Sequence, residues 1–112
     1  MTSTTHTLSD AMIRQIVERI CSVCAPDRVI LFGSAARGEL SADSDVDILV
    51  LFPEKMSTEL RGLRDQIRNS LVGLGLFFDI IVMLAQDYDR RKRVFGCISH
   101  IADKEGKVIY EQ

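Results

Sequence analysis

Two apolar runs in the middle of this chain constrain its fold more than any other feature. They are Val29-Ile-Leu-Phe32 and Val46-Asp-Ile-Leu-Val-Leu-Phe52. The second is almost continuously apolar apart from its aspartate and stops at Pro53, which is typical of a strand covered on both faces. We therefore predict an α/β fold in which a small mixed β-sheet, with residues 46–52 as its central strand, packs against α-helices.

Helical spacing of apolar residues predicts three helices around these strands. The first runs from Met12 to Cys24, with Thr7 or Ser9 as its N-cap, and Pro26 closes it. The other two are predicted from Leu60, Leu63, Ile67 and Leu71 and from Val94, Phe95, Ile98 and Ile101, the last helix ending near residue 102. A further buried strand is predicted at 77–83, a loop at 85–87 and a short extended segment at 108–110.

Length and charge limit what the chain can do. With 112 residues, of which 46% are hydrophobic, it can bury one ordinary core, so we expect a single domain over residues 1–112. The net charge of −2 argues against a protein that holds nucleic acid by attraction to phosphates. The basic cluster Arg90-Arg-Lys-Arg93 is expected to be a solvated face at the start of a helix. No secretion signal or membrane-spanning run is present, which predicts a cytoplasmic protein with no membrane contact.

Three aspartates lie on or beside the predicted strands. Asp45 and Asp47 project to the same side, because successive strand residues alternate between faces. Asp79 interrupts the apolar run 77–83, where a buried charge would be costly without a compensating ion. Carboxylate oxygens are the ligands that Mg²⁺ prefers, so the three residues are candidate ligands of two such ions in a phosphoryl displacement.

A turn directly after the first strand offers groups for a phosphate. Gly33 permits a sharp turn without Cβ obstruction, and Ser34 contributes a hydroxyl and a backbone N–H. Arg37 adds a cation to the same pocket. A P-loop is excluded, because no Lys-Ser or Lys-Thr follows a G-x4-G segment.

These motifs together resemble the DNA polymerase beta-like nucleotidyltransferase superfamily, and in particular its minimal nucleotidyltransferase (MNT) members. The resemblance rests on the turn Leu31-Phe-Gly-Ser-Ala-Ala-Arg-Gly38, on Ser44-Asp-Val-Asp47, on the later strand aspartate and on the ending Glu105-Gly-Lys-Val-Ile-Tyr-Glu111. It covers nearly the whole chain. Larger relatives carry additional domains that hold the acceptor, so the resemblance implies that another polypeptide supplies the acceptor here.

The resemblance implies transfer of AMP from ATP to a hydroxyl group, with release of pyrophosphate. In that mechanism Asp45 and Asp47 bridge two Mg²⁺ ions and Asp79 completes the ion beside the acceptor oxygen. Gly33, Ser34 and Arg37 hold the distal phosphates. By the same resemblance the chain is an antitoxin that attaches AMP to a tyrosine of a HEPN-domain toxin, with which it forms a hetero-oligomer.

Several alternatives stay open at this stage. The chain could be a binding module that neutralises its partner by contact alone, or the core of an antibiotic adenylyltransferase. Residues 33–45 could be ordinary turn and loop residues. A zinc site could be built from Cys21, Cys24, Cys97 and His100, although reduced cysteines on the apolar face of a helix are expected to pack as small hydrophobes.

Overall fold

Six strands are present in the computed structural model, which describes residues 5–6, 8–36, 38, 40–41, 45–94 and 96–112. In chain order they are β1 (Thr5–His6), β2 (Arg28–Phe32), β3 (Leu40–Ser41), β4 (Val46–Phe52), β5 (Phe78–Leu84) and β6 (Lys107–Glu111). Four of them form the main sheet in the order β5-β4-β2-β6, and β1 pairs with β3 separately. Because β4 and β5 are parallel and the other pairs of the main sheet are antiparallel, the predicted mixed sheet is confirmed.

The described ranges also contain four helices, which pack on the two faces of the sheet. They are α1 (Asp10–Val23), α2 (Leu60–Ser70), α3 (Ala85–Arg91) and α4 (Ile98–Glu105), with a short 3₁₀ turn at Glu54–Met56. Of the two N-caps predicted for α1, Ser9 is observed, its hydroxyl accepting a 3.1 Å hydrogen bond from the backbone N–H of Met12. Thr7 lies outside the described residues.

Alternation along the strands divides the apolar side chains into two cores. The first core contains Ile16 and Ile20 of α1, Leu63 and Ile67 of α2, and Val29, Leu31, Val46, Ile48, Val50 and Ile80 of the sheet. The second core contains Ile30, Phe32, Leu49 and Leu51 of the sheet, with Ala85 and Tyr88 of α3 and Ala102 of α4. Both faces of β4 are therefore covered, as its sequence predicts.

The region after β5 differs from the sequence-based prediction. Residues 85–87, predicted as a loop, form the first turn of α3, and Arg90 and Arg91 lie in its last turn rather than at a helix start. Val94 is exposed and precedes α4, whose N-cap is Cys97. Basic residues in a last turn interact favourably with the helix dipole, which is one reason for α3 to end there.

No helix in the described part of the chain is both long and apolar enough to cross a membrane.

Two glycines of this fold should respond to alanine in opposite directions. A Cβ at Gly62, in the first turn of α2, would meet no atom within 4 Å, so Gly62→Ala should stabilise the protein by about 0.5 kcal/mol. A Cβ at Gly106 would overlap Ala102 O and lie 2.7 Å from Ile30 Cγ2, so Gly106→Ala should destabilise it by about 1–3 kcal/mol. Urea unfolding of the two variants measures both changes, and shifts of the same sign would contradict the packing described for these glycines.

Candidate active site

Strand register brings two of the three predicted aspartates together. In the parallel ladder Asp47 of β4 lies directly opposite Asp79 of β5. In the antiparallel ladder on the other side, Asp47 lies opposite Phe32, the last residue of β2. Gly33 follows Phe32, so the turn and the two carboxylates meet at one end of the sheet.

The carboxylates lie on the face of the sheet that carries the second core. Alternation places Asp47 on the same face as Leu49 and Leu51, which are fully buried in the second core. Asp47 itself is half-buried, and Asp79 is exposed. Both carboxylates are therefore at least partly accessible to solvent at this end of the sheet.

The exposure of Asp79 corrects one step of the sequence argument. The run 77–83 was expected to be a buried strand in which a charge would need a compensating ion. Instead β5 begins at Phe78 and lies at the edge of the sheet, where Asp79 is solvated. The case for Asp79 as a site residue therefore rests on its register with Asp47 and not on a desolvation penalty.

The turn after β2 packs directly against a carboxylate. Gly33 has φ +69°, a conformation that favours glycine. A Cβ at this position would overlap Asp47 Oδ2 and lie 3.2 Å from Asp47 Cγ. Ser34 follows half-buried, and the Gly38 N–H donates to Ala35 O at 3.4 Å. The side of Gly33 that lacks a Cβ therefore accommodates the Asp47 carboxylate.

Two other residues were predicted for this site, Asp45 and Arg37. Asp45 is described and exposed, directly before β4. Arg37 lies outside the described residues. Within the described ranges no group of three or more His, Cys, Asp or Glu side chains is placed to hold a metal ion. The oxygen donors of Asp47 and Asp79 suit a hard cation such as Mg²⁺, and Asp45, two residues before Asp47, is the nearest further carboxylate along the chain.

The alternative zinc site is ruled out by geometry. Cys21 and Cys24 belong to the end of α1, against the first core, whereas Cys97 and His100 belong to α4, on the opposite face of the sheet. Burial, and secondarily the neighbouring Cys21, raise the pKa of the Cys24 thiol to about 11, so it remains protonated near neutral pH. Cys24 packs against the first core as predicted, but Cys21 is exposed.

One residue beside the carboxylates was missed by sequence reasoning. Phe77 was expected to be a buried strand residue, yet it precedes β5 and is 74% exposed. The signal was available in Leu76-Phe-Phe78, because three consecutive large apolar residues cannot all face one core in an extended chain.

A mixed sheet between two helical layers, with a glycine turn and paired carboxylates at one end, has the architecture of nucleotidyltransferase folds. The chain belongs to the family described as "Nucleotidyltransferase domain", whose model matches residues 12–100.

Comparisons with individual proteins are consistent with this family. A Methanocaldococcus jannaschii protein named "putative protein adenylyltransferase" is 64% identical over 28 residues, a segment that covers 25% of this chain and 28% of that protein. The solved structure of a "putative nucleotidyltransferase" from Sulfolobus solfataricus superposes with a TM-score of 0.60 at 24% identity, covering 91% of this chain and 82% of that one. A chain from the crystal structure of "the toxin-antitoxin with AMP-PNP" superposes with a TM-score of 0.59 at 18% identity, covering 89% and 73%. At these identities the two structures show a shared fold.

The contact between Gly33 and Asp47 can be tested by stability measurements alone. Gly75 also has a positive φ, +79°, but a Cβ there would meet nothing within 4 Å. Gly75→Ala should therefore lose about 1 kcal/mol from backbone strain, whereas Gly33→Ala should lose about 1–3 kcal/mol more. Adding Asp47→Ala should recover about 0.5 kcal/mol or more of that extra loss, because the overlapping carboxylate is gone. Equal losses in the two glycine variants, with no coupling to Asp47 in urea unfolding, would show that the two residues do not touch.

Proposed function

We propose that this chain is a Mg²⁺-dependent nucleotidyltransferase that moves AMP from ATP to a hydroxyl of a partner protein. The observation that carries the proposal is the register that sets Asp47 beside Asp79 and next to the Gly33 turn. Membership of the nucleotidyltransferase domain family supports the reaction class.

In this reaction the acceptor oxygen bonds to the α-phosphorus of ATP, the bond from that phosphorus to the bridging oxygen breaks, and pyrophosphate leaves. Gly33 and Ser34, and Arg37 by its place in the sequence, would hold the distal phosphates. Asp79 would orient the acceptor hydroxyl and receive its proton. The chain's residues act mainly by positioning the two reactants.

Asp45, Asp47 and Asp79 are the residues that would hold two Mg²⁺ ions. When bound, such ions neutralise charge on the phosphate and on the attacking oxygen. Asp79 is solvated and Asp45 is exposed, so both are accessible to ions that arrive with the nucleotide.

The choice of AMP and of a protein acceptor is supported by the name of the M. jannaschii relative, which refers to protein adenylyltransfer. The choice of a toxin as acceptor is supported by the fold shared with a chain of a toxin-antitoxin structure that contains AMP-PNP, a nucleotide analogue. We therefore propose that the chain is an antitoxin that modifies a toxin. The further proposal that the target is a tyrosine of a HEPN-type toxin, with which the chain forms a hetero-oligomer, rests on the resemblance to minimal nucleotidyltransferases.

Neutralisation by contact alone is the second candidate function. It is favoured by the exposed apolar side chains Val72 and Phe77 beside the site, which are 70% and 74% exposed, because such surfaces mark protein interaction sites. The two candidates make different predictions for a variant that keeps this surface and loses one carboxylate.

Replacing Asp79 with Asn should separate the two functions. Asp79 is exposed, so Asp79→Asn should fold normally and bind both AMP-PNP and the partner, yet AMP transfer should fall by about 100-fold or more. The measurement combines labelled ATP and Mg²⁺ with the purified chain and the protein encoded by the neighbouring gene, followed by mass spectrometry of that protein. Asp103→Asn, an exposed carboxylate of α4, is the matched control and should transfer like wild type.

The same variants should be compared in cells that express the toxin-like neighbour. Catalytic neutralisation predicts that Asp79→Asn leaves growth arrested although the complex still forms. Full protection by Asp79→Asn, with no AMP on the partner, would establish neutralisation by contact and overturn the enzymatic proposal.

A further inference from the structure

An apolar groove lies between the end of α2 and the start of β5. Its volume is about 210 Å³. The lining residues are Arg68, Leu71, Val72, Leu76, Phe77 and Phe78. Among them Val72 and Phe77 are more exposed than any other large hydrophobic residue in the described part of the chain. An exposed aromatic beside an exposed aliphatic side chain is unfavourable in water and is typical of a surface that binds another protein or a ligand.

The groove lies at the same end of the sheet as the carboxylates, but on the opposite face. The backbone N–H of Val46, which lies between Asp45 and Asp47, donates to Phe77 O at 2.8 Å. Phe77 is also two residues before Asp79. Asp47 and Asp79 project to the second-core face, whereas the end of α2 and the groove lie on the first-core face. A ligand in the groove would therefore reach the carboxylates by passing over Phe77 around the edge of the sheet at the start of β5.

The order of the strands indicates whether the groove lies on the side of the nucleotide or on the side of the acceptor. Across the sheet the sequence is β2, which leads to the Gly33 turn, then β4 with Asp47, then β5 with Asp79. The groove lies at the β5 side, so the carboxylates separate it from the turn proposed to hold phosphates. It is thus on the side from which the acceptor must approach.

The groove is held in shape by α1. Arg19 of α1 donates from Nη1 to Ser70 O at 3.2 Å and to Val72 O at 2.7 Å. These bonds satisfy carbonyl groups at the C-terminal end of α2, where no helical partner is available. The groove is therefore formed before any ligand arrives.

A basic row leads into the groove. Arg61, Arg64 and Arg68 are exposed and spaced so that they share one face of α2, where the exposed Asp65 is the one acidic residue among them. None of the three forms an ion pair with another residue of the described ranges, although the chain as a whole has a net charge of −2. Such a row favours an acidic binding partner.

We propose that this groove and the arginine row of α2 form the docking site for the protein that receives AMP. An apolar side chain next to the modified hydroxyl fills the groove against Phe77 and Val72, and acidic residues of the same protein face Arg61, Arg64 and Arg68. The inference rests on the proposed function for the identity of the reaction, and on the geometry above for the location of the acceptor.

Nucleic acid is the less suitable occupant. The net charge of −2 gives the chain little general attraction for a nucleic-acid backbone, and Phe77, as a single exposed aromatic, offers stacking for about one base. A nucleic acid carries a charge at every phosphate, whereas a protein segment can carry acidic residues only at the positions that face the three arginines.

Substitutions at two exposed residues of the docking site, each with a matched control, test the proposal. Phe77→Ala removes the aromatic from the groove, and Val108→Ala, a half-exposed residue of β6 at the opposite edge of the sheet, is its control. Arg64→Glu reverses charge in the row, and Arg91→Glu, an exposed arginine of α3, is its control.

The protein encoded by the neighbouring gene is the probe. Its affinity is measured by calorimetry without ATP, and AMP transfer is measured separately with ATP and Mg²⁺. Phe77→Ala and Arg64→Glu should each weaken partner binding by about 10-fold or more and raise the KM for the partner, while both controls stay within about twofold of wild type. AMP-PNP affinity should be unchanged in all four variants, because the groove lies away from the phosphate turn.

The possible failures are distinguishable. If wild type transfers AMP and Phe77→Ala transfers equally well, the docking site is wrong and the proposed function stands. If the partner binds through the groove but receives no AMP, the docking site stands and the enzymatic function fails. Absence of both binding and transfer in wild type overturns both. If Phe77→Ala loses oligouridine binding and keeps partner binding, the groove binds RNA. If it loses self-association and keeps partner binding, the groove binds a second copy of the chain.

Discussion

The register of three neighbouring strands is the constraint on which this structure depends. Asp47 meets both Phe32 and Asp79 only because β4 pairs with β2 and β5 at these positions. A slip of one residue in β4 would turn Asp47 toward the first core and bring Val46 or Ile48 to the surface. The near-continuous burial of β4 makes such a slip costly, so hydrophobic packing fixes the position of the carboxylates.

Much of this arrangement could be predicted from sequence because it depends on local patterns. The alternation in 46–52 places Asp47 on one face, and the apolar periodicity of α1 and α2 predicts which faces cover the sheet. Gly33 was identified as a turn residue, and the structure adds the reason for glycine, which is the Asp47 carboxylate that fills the space of a Cβ. The assignment of Asp45, Asp47 and Asp79 to metal ions stays a prediction.

What sequence could not show depends on long-range neighbours. An apolar run does not reveal whether its strand is internal or at an edge, and so β5 was expected to bury Asp79 and Phe77 although both are exposed. The helix α3 is only seven residues long, and its one turn of apolar contacts, through Ala85 and Tyr88, is too short for a periodic signal. Its stability comes from packing on the second core.

The edge position of β5 also has a consequence for motion. Asp47 belongs to an internal strand bonded on both sides, whereas Asp79 belongs to a strand bonded on one side only. Edge strands open at lower free energy than internal ones, and amide hydrogen exchange reports such openings. We therefore expect the two carboxylates to lie on strands of unequal local stability, so that the distance between them varies without unfolding of the cores. A molecule that binds across both strands would restrict this motion. The entropy cost of ordering the site would then be part of the free energy of binding.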